Sequence, residues 1–258
     1  MNYSKAMMVS AFFALLVAGV VSVVGFRAPL AHAADCDITT LDINQIAAIQ
    51  KDPSLSDSDE IKQELAVRKA LVGYTIACAQ QEVQTFRTSL ASTSVESDSQ
   101  SLRSQLSGNL DEATSFYNLE SAKLNVVGIA GTKAIAQEVF AWRESTFIPL
   151  GKDVNNFILW EKNQDLFKTA GIRMTQTQQA VTFLENTTPN PALQTAFEDA
   201  QSSFADAENA NDAARAALVQ NLSPDQSLAL IKQSLGSLSD TYQSFSDVST
   251  LIKSNLPK

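Results

Sequence analysis

The last third of the chain constrains the fold most. Leu193, Phe197, Ala200, Phe204, Ala207, Ala214 and Leu218 follow one another in steps of three and four, with Asn211 in the one polar slot. Leu228, Ile231, Leu235, Leu238, Tyr242, Phe245 and Ile252 repeat the rhythm, with Ser249 filling its gap. Such spacing puts an apolar stripe on one side of a helix. Between the two stripes, Ser223-Pro224-Asp225-Gln226 has the form of a capping box with proline at the first helical position. Asn190 followed by Pro191 opens the first stripe in the same way. The spacing predicts two long helices that meet at a short turn and pack as coiled-coil-like neighbours.

The same period recurs upstream. Ile61, Leu65, Val72, Ile76, Ala79, Val83, Phe86 and Leu90 share one face, and Val67, Leu71, Tyr74 and Cys78 form a second stripe beside it. The helix is predicted to enter at Ser54–Glu60 behind Pro53, with acidic residues in its first turn, and to run to about Ala91. A serine-rich stretch from Ser92 to Gln100 reads as a turn. Leu102, Leu106, Leu110, Ala113, Tyr117, Leu124 and Val127 then mark an antiparallel partner. A third region carries Ile135, Val139 and Trp142, and a fourth carries Val154, Phe157, Ile158, Phe167, Met174, Val181 and Leu184. Pro149 is expected to break or kink the helix between them. Glycine and proline are scarce, which suits helices better than sheets. The fold class expected is all-α: an elongated bundle of five to six long antiparallel helices.

Residues 1–33 carry no Asp or Glu, a basic start at Lys5, an apolar run over residues 6–26, and Ala31-His32-Ala33. This is the pattern of a secretory signal peptide, with cleavage expected after Ala33 or, second, after Ala34. The competing reading is an uncleaved anchor, since roughly 20 apolar residues span a bilayer. Either way the rest of the chain is expected outside the cytoplasm, whether periplasmic, at the cell surface or secreted, and membrane contact is confined to residues 6–26. The organisation expected is signal segment 1–33, N-terminal arm 34–56 and helical bundle 57–258.

Cys36 and Cys78 are the two cysteines. Asp35 before Cys36, and Ala33 where a lipobox carries leucine, argue against lipidation. No basic group stands near Cys36 in sequence to activate its thiol. An exported chain with an even cysteine count favours pairing. The expectation is a Cys36–Cys78 disulfide that holds the arm against the first long helix. The chain-entropy model gives such a bridge roughly 4 kcal/mol.

The expected cut removes His32, the only histidine, and leaves 17 basic and 28 acidic side chains. Histidine-dependent catalysis and metal sites fall away with it. An acidic surface disfavours nucleic acid and anionic lipid. No P-loop, G-x-G-x-x-G or S-x-x-K motif is present. Asp57, Asp59 and Glu60 lack the glycine and distal glutamate of a calcium loop and suit a helix start. No cofactor and no metal are expected.

Three further features bear on packing and binding. The apolar stretch Asn125–Gly131 is too short for a membrane span and reads as close helix packing or a bend. Arg68, Arg143 and Arg173 could hold an anion together, or pair with carboxylates on neighbouring helices. Trp142, Phe147, Phe157 and Trp160 flank Pro149, as core aromatics or as a ligand pocket between helices. The expected function is an exported, non-catalytic structural or protein-interaction protein with a protein or cell-envelope partner. The alternative is a ligand-sensing or solute-binding bundle with its pocket near Trp142 and Trp160.

Overall fold

The computed structural model describes residues 40–187 and 189–255. Ala31, Ala33 and Cys36, and with them the signal segment, its cleavage and its anchoring alternative, lie outside the described residues. Within them the chain is an all-α helical bundle without strands. Its helices are α1 (Thr40–Ile49), α2 (Asp57–Ser92), α3 (Gln100–Leu124), α4 (Ile129–Trp142), α5 (Ile148–Glu185), α6 (Pro191–Val219) and α7 (Pro224–Asn255). Among the described residues, no helix is long and apolar enough to cross a membrane.

The caps predicted at Asn190 and Ser223 form, and within the predicted entry Ser54–Glu60 the cap is Ser56. Ser56 accepts the Asp59 amide at 3.3 Å and starts α2, with Asp57, Asp59 and Glu60 in the first turn. There the carboxylates complement the positive end of the helix dipole. The Asn190 side chain accepts the Ala192 amide at 3.0 Å, one residue past Pro191. Ser223 and Gln226 close a reciprocal box: each backbone N–H donates to the other's side-chain oxygen at 3.3 Å.

The contacts divide the chain into two compact units, and α5, α6 and α7 contribute to both. Described by itself, the unit of residues 166–209 and 233–255 is a three-helix bundle. Val181, Leu184, Leu193, Phe197, Val248 and Ile252 form one buried layer. Phe167, Ala170, Ala207 and Leu238 form another, with Phe204 and Tyr242 packed against it. As α5 ascends through these layers α6 descends and α7 ascends, so α6 is antiparallel to both.

The second unit holds α1–α4, the start of α5 and residues 210–232. Its α2 and α3 pair antiparallel along most of their length. The Lys69 ammonium donates to the Asn125 carbonyl, Gln80 donates to Asn118, Arg87 pairs with Asp111, and Arg103 donates to the Ala91 carbonyl. Gly73 sits under Leu124, and Ile76, Ala79, Val83 and Leu90 are buried as the stripe predicts. Ile61, read from sequence as core, is 56% exposed. α1 packs back on α2.

The chain does not break at Pro149. Helical backbone continues from α4 through a π-helical turn, Arg143–Phe147, directly into α5. The Ile148 N–H reaches the Arg143 carbonyl, five residues back. Proline in an α-helix lacks one N–H and clashes with the preceding turn. A wider turn just ahead of Pro149 accommodates both, and π-bulges are a recognised way to insert an extra residue without ending a helix. The Asn125–Gly131 stretch, read as close helix packing or a bend, lies where α3 gives way to α4, and those two helices are in contact. It is the reversal between α3 and α4, with Gly128 in extended backbone as the N-cap.

α7 buries more than its apolar stripe. Ser227, Ser234 and Thr241 are essentially inaccessible, at seven-residue intervals beside Ile231, Leu238, Phe245 and Val248. Thr241 returns its hydroxyl hydrogen bond to the Ser237 carbonyl at 2.9 Å.

Candidate functional site

The four aromatics singled out by sequence, Trp142, Phe147, Phe157 and Trp160, fall into two clusters of the unit that holds α1–α4 and the start of α5. The first is built on the π-turn. In an α-helix, residues five apart diverge by about 140° around the axis. The wider turn swings Trp142 and Phe147 to one side, where their rings stack with centroids 6.3 Å apart. Trp142 also stacks on Phe116 of α3 at 4.2 Å. Tyr117 meets both Trp142 and Phe147 edge-on, at 5.3 and 5.8 Å, and Phe86 of α2 meets Phe147 edge-on at 6.0 Å. Edge and face contacts of this kind add to the burial of large rings.

Arg143 anchors the turn to α2. Its guanidinium makes two hydrogen bonds to the Glu82 carboxylate, at 2.5 and 2.9 Å, and its centre lies 5.5 Å from the Phe147 ring centroid. A planar guanidinium matches a carboxylate in this two-point geometry, which lysine cannot reproduce. Glu82 raises the Arg143 pKa by hydrogen bond and charge. The Tyr117 hydroxyl is buried without a hydrogen-bond partner among the described residues. Burial pushes its pKa up to about 12, against the opposing pull of Arg143.

The second cluster lies along the start of α5, which is wrapped on nearly all sides. Phe157 is completely buried. Asn156 is buried and donates to the Pro224 carbonyl at 2.7 Å, fixing the start of α7. The Trp160 indole N–H donates to the Asn211 carbonyl at 3.2 Å. Gln164 and Asn211 exchange hydrogen bonds between their side-chain amides. Glu161 and Asn163 are buried in the same stretch. Asp153, half-buried, has its carboxyl pushed up to about 6 by desolvation.

Of the four aromatics proposed to line a pocket, the structure brings Trp142 and Phe147 together and places Phe157 and Trp160 elsewhere on α5. Among the described residues no ring contact joins the two pairs. Each of the three arginines has its own neighbour. Arg68 pairs with Glu64 at 2.6 Å, Arg143 with Glu82, and Arg173 lies over the Tyr242 ring at 5.2 Å. Asp57, Asp59 and Glu60 stay at the α2 N-terminus. Among the described residues no three His, Cys, Asp or Glu side chains are placed to hold a metal ion.

Sequence reasoning missed Glu82, Asn156 and Asn163. Nothing local marks Asn156 and Asn163 as buried, because a helix covered on nearly all sides shows no clean polar face. Asn211 did leave a signal, as a polar residue in an otherwise apolar rhythm.

No protein-family model, curated protein or solved structure matches this chain.

Proposed function

We propose that this chain is an exported, non-catalytic helical protein that works by presenting a surface to a protein or cell-envelope partner. The observation that carries the reading is the outer face of α4. Phe140 is 66% exposed there, Val126 in the turn that precedes α4 is 86% exposed, and Ala130, Ala134 and Ala141 of α4 are exposed as well. Large exposed apolar groups on an otherwise polar protein are a cost unless something covers them. The conspicuous side chains of the interior support the same reading. Arg143, Trp142, Trp160 and Asn211 are each committed to holding one helix against another. The sequence pattern of residues 1–33 supports export.

Site-specific photo-crosslinking in the producing cell tests this. A photoreactive side chain at Phe140 is expected to capture a discrete protein or envelope component, while the same group at the exposed α3 residue Ser107 captures none. Equal capture at both positions, or none at either, overturns the interaction reading. Fractionation tests location: chain found only in the cytoplasm, with residues 1–33 retained, overturns export.

A further inference from the structure

We propose that the outer side of α5 over residues 169–184 is a docking surface for a second copy of this chain, the two helices meeting antiparallel about a two-fold axis between Thr177 and Gln178. The surface lies on a different helix from the α4 face, and the inference stands without the reading given to that face.

α5 carries apolar side chains on two opposite sides here. Ala170, Thr177, Val181 and Leu184 turn into the three-helix bundle and are buried. Ile172 and Phe183 point the other way and are 61% and 53% exposed. Eleven residues advance about 1,100° around an α-helix, about 20° past three full turns, so Ile172 and Phe183 share a side. Gln176 and Gln179 lie between them. Steps of four, three and four are the seam spacing of a coiled coil.

Charge decides what covers this side. The chain carries a net −9 at pH 7, so its copies repel wherever their carboxylates meet. α6 exposes Glu198, Asp199, Asp206 and Glu208, and α7 exposes Asp240 and Asp247. Across residues 169–184 the sole charged side chain is Arg173, and its guanidinium lies over the Tyr242 ring at 5.2 Å. Among the described residues of this three-helix unit, only α5 offers a copy about four turns free of carboxylates. Depletion of charge is what marks the centre of a protein–protein interface.

The same side is its own complement. The two-fold axis sets Ile172 of each copy against Phe183 of the other, and Gln176 against Gln179. Apolar meets apolar at both ends of the seam. At its centre the paired amides can donate and accept reciprocally, as Gln164 and Asn211 do within the chain. Such an isologous contact closes at two copies. A seam about 24 Å long and one helix wide falls short of the roughly 1,200–2,000 Å² of a standard interface, so the dimer is weak and set by concentration. Salt screens the repulsion left between two acidic chains, so the dimer tightens as ionic strength rises.

Sedimentation equilibrium of the purified, reduced protein tests this from about 1 μM to about 1 mM, the range of weak complexes. A monomer–dimer equilibrium is expected, tightening with added salt. Ile172→Lys and Phe183→Lys should each weaken it roughly tenfold or more, because each sets an unpaired ammonium against an apolar partner. Urea melts report that both variants fold. Ser239→Lys, on the exposed side of α7, should not weaken the dimer. A photoreactive phenylalanine at position 183, in a mixture of isotope-labelled and unlabelled copies, is expected to link to residues around Ile172 of the other copy. A monomer throughout, or an undiminished dimer in both folded lysine variants, overturns the proposal. A link from position 183 to position 183 overturns the antiparallel seam. Capture by that probe, in the producing cell, of another protein and not of the chain itself overturns a second copy as the occupant.

Discussion

Gln164 on α5 and Asn211 on α6 donate to each other's side-chain carbonyl oxygens, at 3.2 Å in both directions. The Asn211 main-chain carbonyl meanwhile accepts from the Trp160 indole at 3.2 Å. Two helices are thereby fixed at one register by three hydrogen bonds around one residue. Truncating one amide strands the other in a largely buried place, which costs about 1–3 kcal/mol. Asn211→Leu and Gln164→Leu should each lower the denaturation midpoint. The double variant should be less destabilised than the two singles combined. Simple additivity in urea melts would show that the amides do not act as a pair.

Arg143 and Glu82 tie the π-turn to α2. Both are only partly exposed, and removing one partner from a buried pair leaves the other uncompensated. Glu82→Gln and Arg143→Met should each cost about 2–3 kcal/mol, less than for a fully buried pair because water still reaches the arginine. Arg143→Lys should recover little of that, since a point charge cannot replace two parallel hydrogen bonds. Full recovery by lysine in thermal melts would reduce the contact to simple charge attraction.

Gly151 faces α2 so closely that an added Cβ would lie 2.8 Å from the Phe86 ring. Alanine is the better helix former by about 1 kcal/mol, but overpacking a filled core costs typically 1–3 kcal/mol. Gly151→Ala should therefore be neutral to destabilising. Combined with Phe86→Leu, which clears the ring, alanine should become the more stable choice at position 151. Calorimetry on the four proteins decides it: a clear gain from Gly151→Ala alone would mean the ring moves aside freely.

Asp153 gives the fold a pH dependence of definite sign. Its carboxyl titrates near 3.8 when the chain is unfolded and near 6 when folded, so the native state holds the proton more tightly. Stability from this group is fully present below about pH 4 and is lost as pH rises through about 6. Glu64, held below its ordinary value by Gln50 and Arg68, works the other way: its contribution is present above the usual glutamate pKa and lost as pH falls through the lowered value. Asp153→Asn should raise the melting temperature at pH 7 and leave it nearly unchanged at pH 4. An equal shift at both would show that the carboxyl is not the source.

The helices that sequence placed best are those with one buried face and a capping residue. Ser56, Asn190 and Ser223 mark the ends of α2, α6 and α7 because a side-chain oxygen near unsatisfied amides is a local requirement, visible in a few residues. α5 was harder. Its buried positions include Asn156, Phe157, Ile158, Trp160, Glu161 and Asn163, which trace no single stripe because neighbours cover it on most sides. The local rule for Pro149 predicts a break or kink, and the helix instead runs on through a wider turn. The wider turn that meets it depends on Trp142, Phe147 and Arg143 all finding partners on other helices. The Gln164–Asn211 pair is invisible for a similar reason: nothing local says that two amides 47 residues apart will stand at one level.

The five-residue turn at Arg143–Phe147 holds one residue more than an α-helical turn and takes it up without ending the helix. Deleting one residue there would let the segment close as ordinary α-helix with Phe157, Trp160 and Gln164 near their present phase, whereas deleting one from an α-helical stretch turns everything beyond it by about 100°. Ser145 and Thr146 are exposed, so this short segment is where the helix can lose a residue at least cost.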